Sequence, residues 1–132
     1  MRTDQWVAVH RYHHARVETV EDPHSPWTHG IWNVLFRGAW IYHQAASNSA
    51  MVEKYSHGTP KDWLEARVYR PYQRLGIKLL LCVELGLFGG MGLVMWAVQM
   101  LWIPFHAAGV INGLGHYVGY RNFETQDRSP NL

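Results

Sequence analysis

Apolar residues follow three patterns along this chain. Over residues 1–76 they are scattered among charged, aromatic and turn-forming residues. Over 79–111 they are almost continuous, with Glu84 the one charge and Gln99 and His106 the further polar interruptions. From 112 the chain is polar again. The middle stretch is too long for one simple membrane span and too short for two full ones, since a span takes about 20 apolar residues. Phe88-Gly89-Gly90-Met91-Gly92 supplies a break. The pattern predicts a hairpin: a shorter helix over 77–88 and a longer one over 93–117, kinked at Pro104. Glu84 is costly there unless it faces protein or water.

The polar part reads as several helices. Thr3 or Asp4 can cap a first helix running to about Glu18. Glu21-Asp22-Pro23-His24-Ser25-Pro26 is a loop, because two prolines cannot sit inside a helix. Residues 31–46 predict an amphipathic helix with Ile31, Leu35, Trp40 and Ile41 as its apolar stripe near a membrane surface. A short helix follows over 47–55, and Thr59-Pro60 opens another to about Tyr69. The expected architecture is all-α and membrane-associated. One partial domain covers 1–132: cap helices over 1–76, the hairpin over 77–111 and a return segment over 112–132. Arg70, Arg74 and Lys78 before the hairpin and Arg121 and Arg128 after it place both flanks on the cytoplasmic side.

Composition narrows the function. A formal charge of +2 is too small for a nucleic-acid binder, whereas seven Trp, seven Tyr and nine His in 132 residues suit interface aromatics and metal ligands. The single Cys82 leaves no disulfide framework and no thiolate metal site. The candidate chemistry lies in His10-Arg11-Tyr12-His13-His14, which reads H-x-x-H-H. At about 100° per residue, His13 and His14 fall roughly 60° and 40° to either side of His10. The three imidazoles share one helix face and suit zinc, copper, iron or nickel. After the hairpin, Asn112 and His116 stand four apart, again on one face.

HRYHH at 10–14, EDPHSP at 21–26 and NGLGHYVGYRNFE at 112–124, in this order, resemble the membrane fatty acyl desaturases of the acyl-CoA, delta-9 type. The chain looks most like their bacterial branch. The resemblance implies two iron ions held in a histidine-rich cytoplasmic cap, with His10, His13, His14 and His116 as ligands and Asn112 reaching iron through a water. It implies a fatty acyl substrate (acyl-CoA or acyl-lipid), a small electron-carrier protein, membrane lipid around a multi-pass full-length form, and insertion of a cis double bond with oxygen and two electrons. The methylene C–H bonds that must be broken have no acidity to exploit, so a cofactor carries the hard chemistry. Two further histidine boxes of that family, one upstream and one downstream, have no match here, so the chain is expected to be a middle piece lacking both. His24 and His29 spell H-x-x-x-x-H, but after the second box and in a Pro-containing loop, and are expected to lie out of register with the site. His43 and His57 are expected at the surface or an interface, and His106 is expected either to bond a backbone carbonyl freed near Pro104, the favoured role, or to line the acyl cavity. Three alternatives stand beside this reading: a related hydroxylase, a non-catalytic membrane protein, and a zinc site built from His10, His13, His14 and His116.

Overall fold

Three of the polar helices start where a side chain satisfies open N–H groups. The computed structural model describes residues 1–124 and Pro130, and among these it is all-α. Helix α1 spans Thr3–Ala15. Its cap falls at Arg2, one residue before the predicted positions, where the Arg2 N–H donates to Gln5 Oε1 at 3.1 Å. Thr3 is thereby released to donate its hydroxyl to Glu65 Oε2 at 2.9 Å. The helix also stops earlier than expected: Arg16, at φ -135 and ψ 22, leaves the helical region, and Glu18 beyond it has φ 57, a left-handed conformation. Ser25 caps the single turn α2, Pro26–His29, by accepting from the Trp27 N–H. Helix α3 is Ile31–Ala45, and Asn48 caps α4, Ser49–Tyr55.

The buried face of α3 is Val34, Leu35, Gly38 and Ile41. Trp40 does not join the stripe; it is 48% exposed and lies under the Arg37 guanidinium. The predicted helix from Thr59-Pro60 is shorter: Asp62 accepts the Glu65 N–H at 2.8 Å, and the turn that follows is a π-helix, Glu65–Tyr69. Ala8 and Val9 of α1 pack on Ala46, Met51 and Val52, with Tyr12, Tyr42 and Tyr55 around them. That small core joins α1 to α4.

The hairpin forms as α5, Leu75–Phe88, and α6, Gly90–Pro104, around Gly89 at φ 59. Gly92 lets the two backbones touch, since a Cβ there would lie 2.1 Å from the Glu84 carbonyl oxygen. Glu84 is buried between them and accepts from Gln99 Nε2 at 2.8 Å. Pro104 lacks an N–H, and the helix widens after it into a π-helical segment, Phe105–Val110. His106 Nδ1 donates to the Trp102 carbonyl at 2.9 Å, as expected near this proline. The segment continues through α7, Ile111–Gly113, and a 3-10 turn, Leu114–His116. Gly90–His116 is thus one helical rod of 27 residues, long and apolar enough to cross a bilayer. The expected pair of partial spans is therefore unequal: α5 has 14 residues, too few to cross alone. Large apolar side chains such as Leu87, Leu101 and Trp102 stand 63–76% exposed on the hairpin, where lipid rather than water suits them. The fold is membrane-associated.

Where the rod meets the cap, two glycines remove side chains from the crossing. A Cβ on Gly109 would lie 2.1 Å from the Leu35 carbonyl oxygen, and one on Gly38 would lie 2.3 Å from that of Ala108. Helix α3 and the π-helical segment therefore meet backbone to backbone, which fixes the height at which Asn112 and His116 arrive. Arg128 lies outside the described residues.

Candidate metal centre

The site is built where α1 ends, the loop 16–25 folds back, and the rod delivers His116. His13 is buried, and its ring packs on those of His14, His24 and His116 at centroid distances of 5.3, 4.1 and 5.0 Å. His14 in turn meets His10 at 4.6 Å, and His10 stacks on Trp6 at 5.0 Å. His10 and Asn112 line one pocket with Trp6, Tyr42 and Ala108. All five residues singled out from the sequence thus form one contiguous strip. They do not share one environment: His13 faces the interior, while His10 and His14 lie on the open side.

Two carboxylates run beneath the histidines. Asp22 is fully buried. Its Oδ1 and Oδ2 lie 2.9 and 3.0 Å from His13 Nδ1, and they also accept the backbone N–H groups of His24 and Glu18. Burial raises the pKa of Asp22, but the bond from His13, the charge of that ring and the two N–H groups outweigh it and hold the carboxyl below its usual value. On the other side, Glu18 Oε1 lies 3.1 Å from His116 Nδ1, and Glu18 Oε2 accepts from Ser25 Oγ. A carboxylate can only accept, so both Nδ1 atoms carry the proton. In the neutral rings, His13 and His116 then hold their lone pairs on Nε2.

These residues fit a metal ion. His13, Asp22 and His24 bring potential ligand atoms within 4.8 Å of one another. Asp22 already accepts from three donors, the His13 ring and two backbone N–H groups, which suits it to orienting His13 rather than to binding metal. Carboxylate–histidine–metal relays of this kind fix the tautomer and ring direction of ligand histidines. His24 is 2% exposed and its Nδ1 has no hydrogen-bond partner among the described residues. Burial, with the charge of His13 next, pushes its pKa down to about 3, so the ring is neutral at pH 7. For His10 too, burial and then the charges of His14 and His13 lower the pKa. A cluster of imidazoles over two carboxylates is a donor set for a cation.

The expectation that His24 and His29 lie out of register is corrected for His24, which stacks on His13 inside the cluster. His29 Nε2 instead bonds the Asp22 carbonyl at 3.1 Å and helps to close the loop. Pro23 and Pro26 do break the helix, but the break turns the loop back under α1 instead of away from it. His43 and His57 are exposed, as expected. Glu18 was not singled out from the sequence. The signal available was general: ligand histidines need acidic partners, and Glu18 and Asp22 are acids in the segment that follows the histidine run.

No family model matches the chain, and no solved structure does. Curated proteins do. The chain is 33% identical over 131 residues to an acyl-CoA 5-desaturase of Anemone leveillei, covering 96% of this chain and 38% of that protein. It is 32% identical over 136 residues to an sn-1 stearoyl-lipid 9-desaturase of Anabaena variabilis, covering 96% and 45%. It is 32% identical over 131 residues to delta-9 acyl-lipid desaturase 2 of Arabidopsis thaliana, covering 96% and 40%. The chain spans less than half the length of these relatives. Nearly all of it aligns with each of them, the histidine run, the acidic loop and the returning His116 lie together at one site, and the chain belongs to the fatty acyl desaturase family.

Proposed function

We propose that this chain supplies part of the di-iron site of a fatty acyl desaturase, an enzyme that inserts a cis double bond into an acyl chain. The observation that carries the reading is the meeting of His116 with His13 across more than 100 residues, each ring oriented by its own buried carboxylate. His10, His13, His14 and His116 would hold iron, and Asn112 would reach it through a water. When bound, iron supplies the oxygen chemistry that removes two hydrogens from adjacent methylenes, with two electrons from a small carrier protein. The chain's own residues do the positioning. Asp22 holds His13 by its Nδ1–H, and Tyr42 closes the site from α3 by stacking on His24 at 5.5 Å.

A groove of about 510 Å³ between α3 and the rod, lined by Leu35, Phe36, Leu101 and Phe105, is apolar enough to take an acyl chain and exclude water. A second space of about 340 Å³ reaches from Ala108 and Asn112 to His10. The relatives' names include both acyl-CoA and acyl-lipid desaturases, so the acyl donor belongs to one of these two classes. With Arg74 and Lys78 at one end of the hairpin and Arg121 past the other, the histidine cap lies on the cytoplasmic side of a multi-pass protein.

Iron analysis tests the reading. Expressed with the coding sequence that flanks it in frame and purified in detergent, the protein is expected to retain iron, and His13→Ala and His116→Ala to lose it. The same protein should convert saturated to cis-unsaturated chains by gas chromatography. Hydroxylated products would make it a hydroxylase instead. One zinc per chain with no iron would sink the di-iron assignment.

A further inference from the structure

We infer that Glu18 is the positioning residue of His116: its carboxylate fixes the ring direction and the Nδ1–H tautomer that present Nε2 to metal. The inference rests on the metal reading above and goes beyond it, because Glu18 belongs to no histidine motif.

Three observations meet at this residue. Glu18 is the one non-glycine residue with positive φ among the described residues, at φ 57. That conformation is unfavourable for a side chain with a Cβ and persists only where the surroundings impose it. Here Asp22 imposes it by accepting the Glu18 N–H at 2.9 Å. The same carboxylate that orients His13 thus sets the backbone that presents Glu18. Second, the Glu18 side chain is only 1% exposed, and both its oxygens are engaged, Oε1 by His116 Nδ1 at 3.1 Å and Oε2 by Ser25 Oγ. An acid at a loop surface would be expected to stay in water unless paired.

Third, His116 is gripped twice by the same loop. Its ring meets Glu18, and its backbone carbonyl accepts from Trp27 Nε1 at 3.1 Å. Ser25 links the two grips, since its hydroxyl donates to Glu18 and accepts the Trp27 N–H at 3.2 Å. A ring held at Nδ1, in a residue held at its carbonyl, keeps little freedom to turn. A merely structural Glu18 would fill space and pair a charge; a positioning Glu18 also dictates which nitrogen of His116 carries the proton.

The test uses the full chain in detergent, with Co(II) alone as the metal probe. Nitrogen-15 NMR of the histidine rings in the metal-free protein reads the tautomer, and the visible absorption of Co(II) reads affinity. Glycine adopts the left-handed conformation freely, so Glu18→Gly removes the carboxylate without adding strain. The expected result is an Nδ1–H tautomer at His116 in the wild type, its loss in Glu18→Gly, and Co(II) binding weakened about 10–100-fold. Glu18→Gln keeps an acceptor oxygen and should retain the tautomer with a smaller loss of affinity. Glu21→Gln, which removes only a surface pair with Arg16, should leave both readouts at wild type. An unchanged His116 tautomer with Co(II) affinity within about twofold in Glu18→Gly would overturn the inference and leave the metal reading intact. No Co(II) binding by the wild type would overturn the metal reading; the tautomer measurement, which needs no metal, would still decide whether Glu18 sets the His116 ring.

Discussion

The cap and the hairpin solve the burial problem in opposite ways. In the cap, the fully buried groups are largely polar: His24, Asp22 and Ser25 stand with Val9 and Val34 as the largest side chains taken out of water. Asp22 and Ser25 are paired, and the pairs reach from α1 through the loop to the end of the rod. In the hairpin, apolar side chains point outward, the helices meet at a bare glycine, and Glu84 and Gln99 form a polar pair between them. The cap gains its geometry from directional bonds, which hold one arrangement. The hairpin relies on close backbone approach and on a surrounding apolar medium, which hold a shape but no particular side-chain register. A site that must aim imidazoles belongs in the first kind of structure, and an apolar groove belongs beside the second.

The largest expected effect comes from breaking the joint between the two regions. Gly109→Val places a side chain on the Leu35 carbonyl, and backbone on both sides leaves nothing to yield. It should cost about 3 kcal/mol or prevent folding. Thermal melts by circular dichroism, with Co(II) titration, should show stability and metal binding falling together. Next is the cap: Asp22→Ala strands the buried His13 Nδ1–H and two backbone N–H groups. A loss of about 3 kcal/mol in denaturant titration is expected.

The hairpin should respond differently. Gln99→Leu leaves a buried Glu84 without its donor and should cost about 2 kcal/mol. Adding Glu84→Leu should restore near-wild-type melting, because apolar replacement of a buried pair is often neutral. No such double rescue is expected for His13 and Asp22; if Leu at both positions left Co(II) binding intact, the contrast would fail. The smallest effect concerns Asp4, where α1 is tied to Arg70 at 2.9 Å. Burial raises its pKa, but the bond and charge of Arg2, the Gln5 N–H and the charge of Arg70 together lower it. A lowered carboxyl contributes stability above its unfolded value of 3.8 and loses it as pH falls through the folded value. The stability gap between wild type and Asp4→Asn should therefore be small at pH 7 and close below pH 3.8.

The sequence by itself determined the elements and the kind of chemistry. Nearly continuous apolar residues, the glycines at 89, 90 and 92 and Pro104 were enough for the hairpin, its break and its distortion. The spacing of His10, His13 and His14 put three imidazoles on one helix face, and that of Asn112 and His116 put those two on another; that the two groups meet was implied only by the family resemblance. These features are legible because they are local: periodicity, turn chemistry and helix-face geometry act within a few residues. Tertiary structure alone decided the rest. It stacked His24 on His13, turned Trp40 out of the α3 stripe, and placed Asp22 and Glu18 under different histidines. The Glu18–His116 pair joins positions 98 apart and depends on one left-handed residue and on two glycines at a helix crossing. No local pattern encodes such a contact, because its energy exists only after the chain has closed around it.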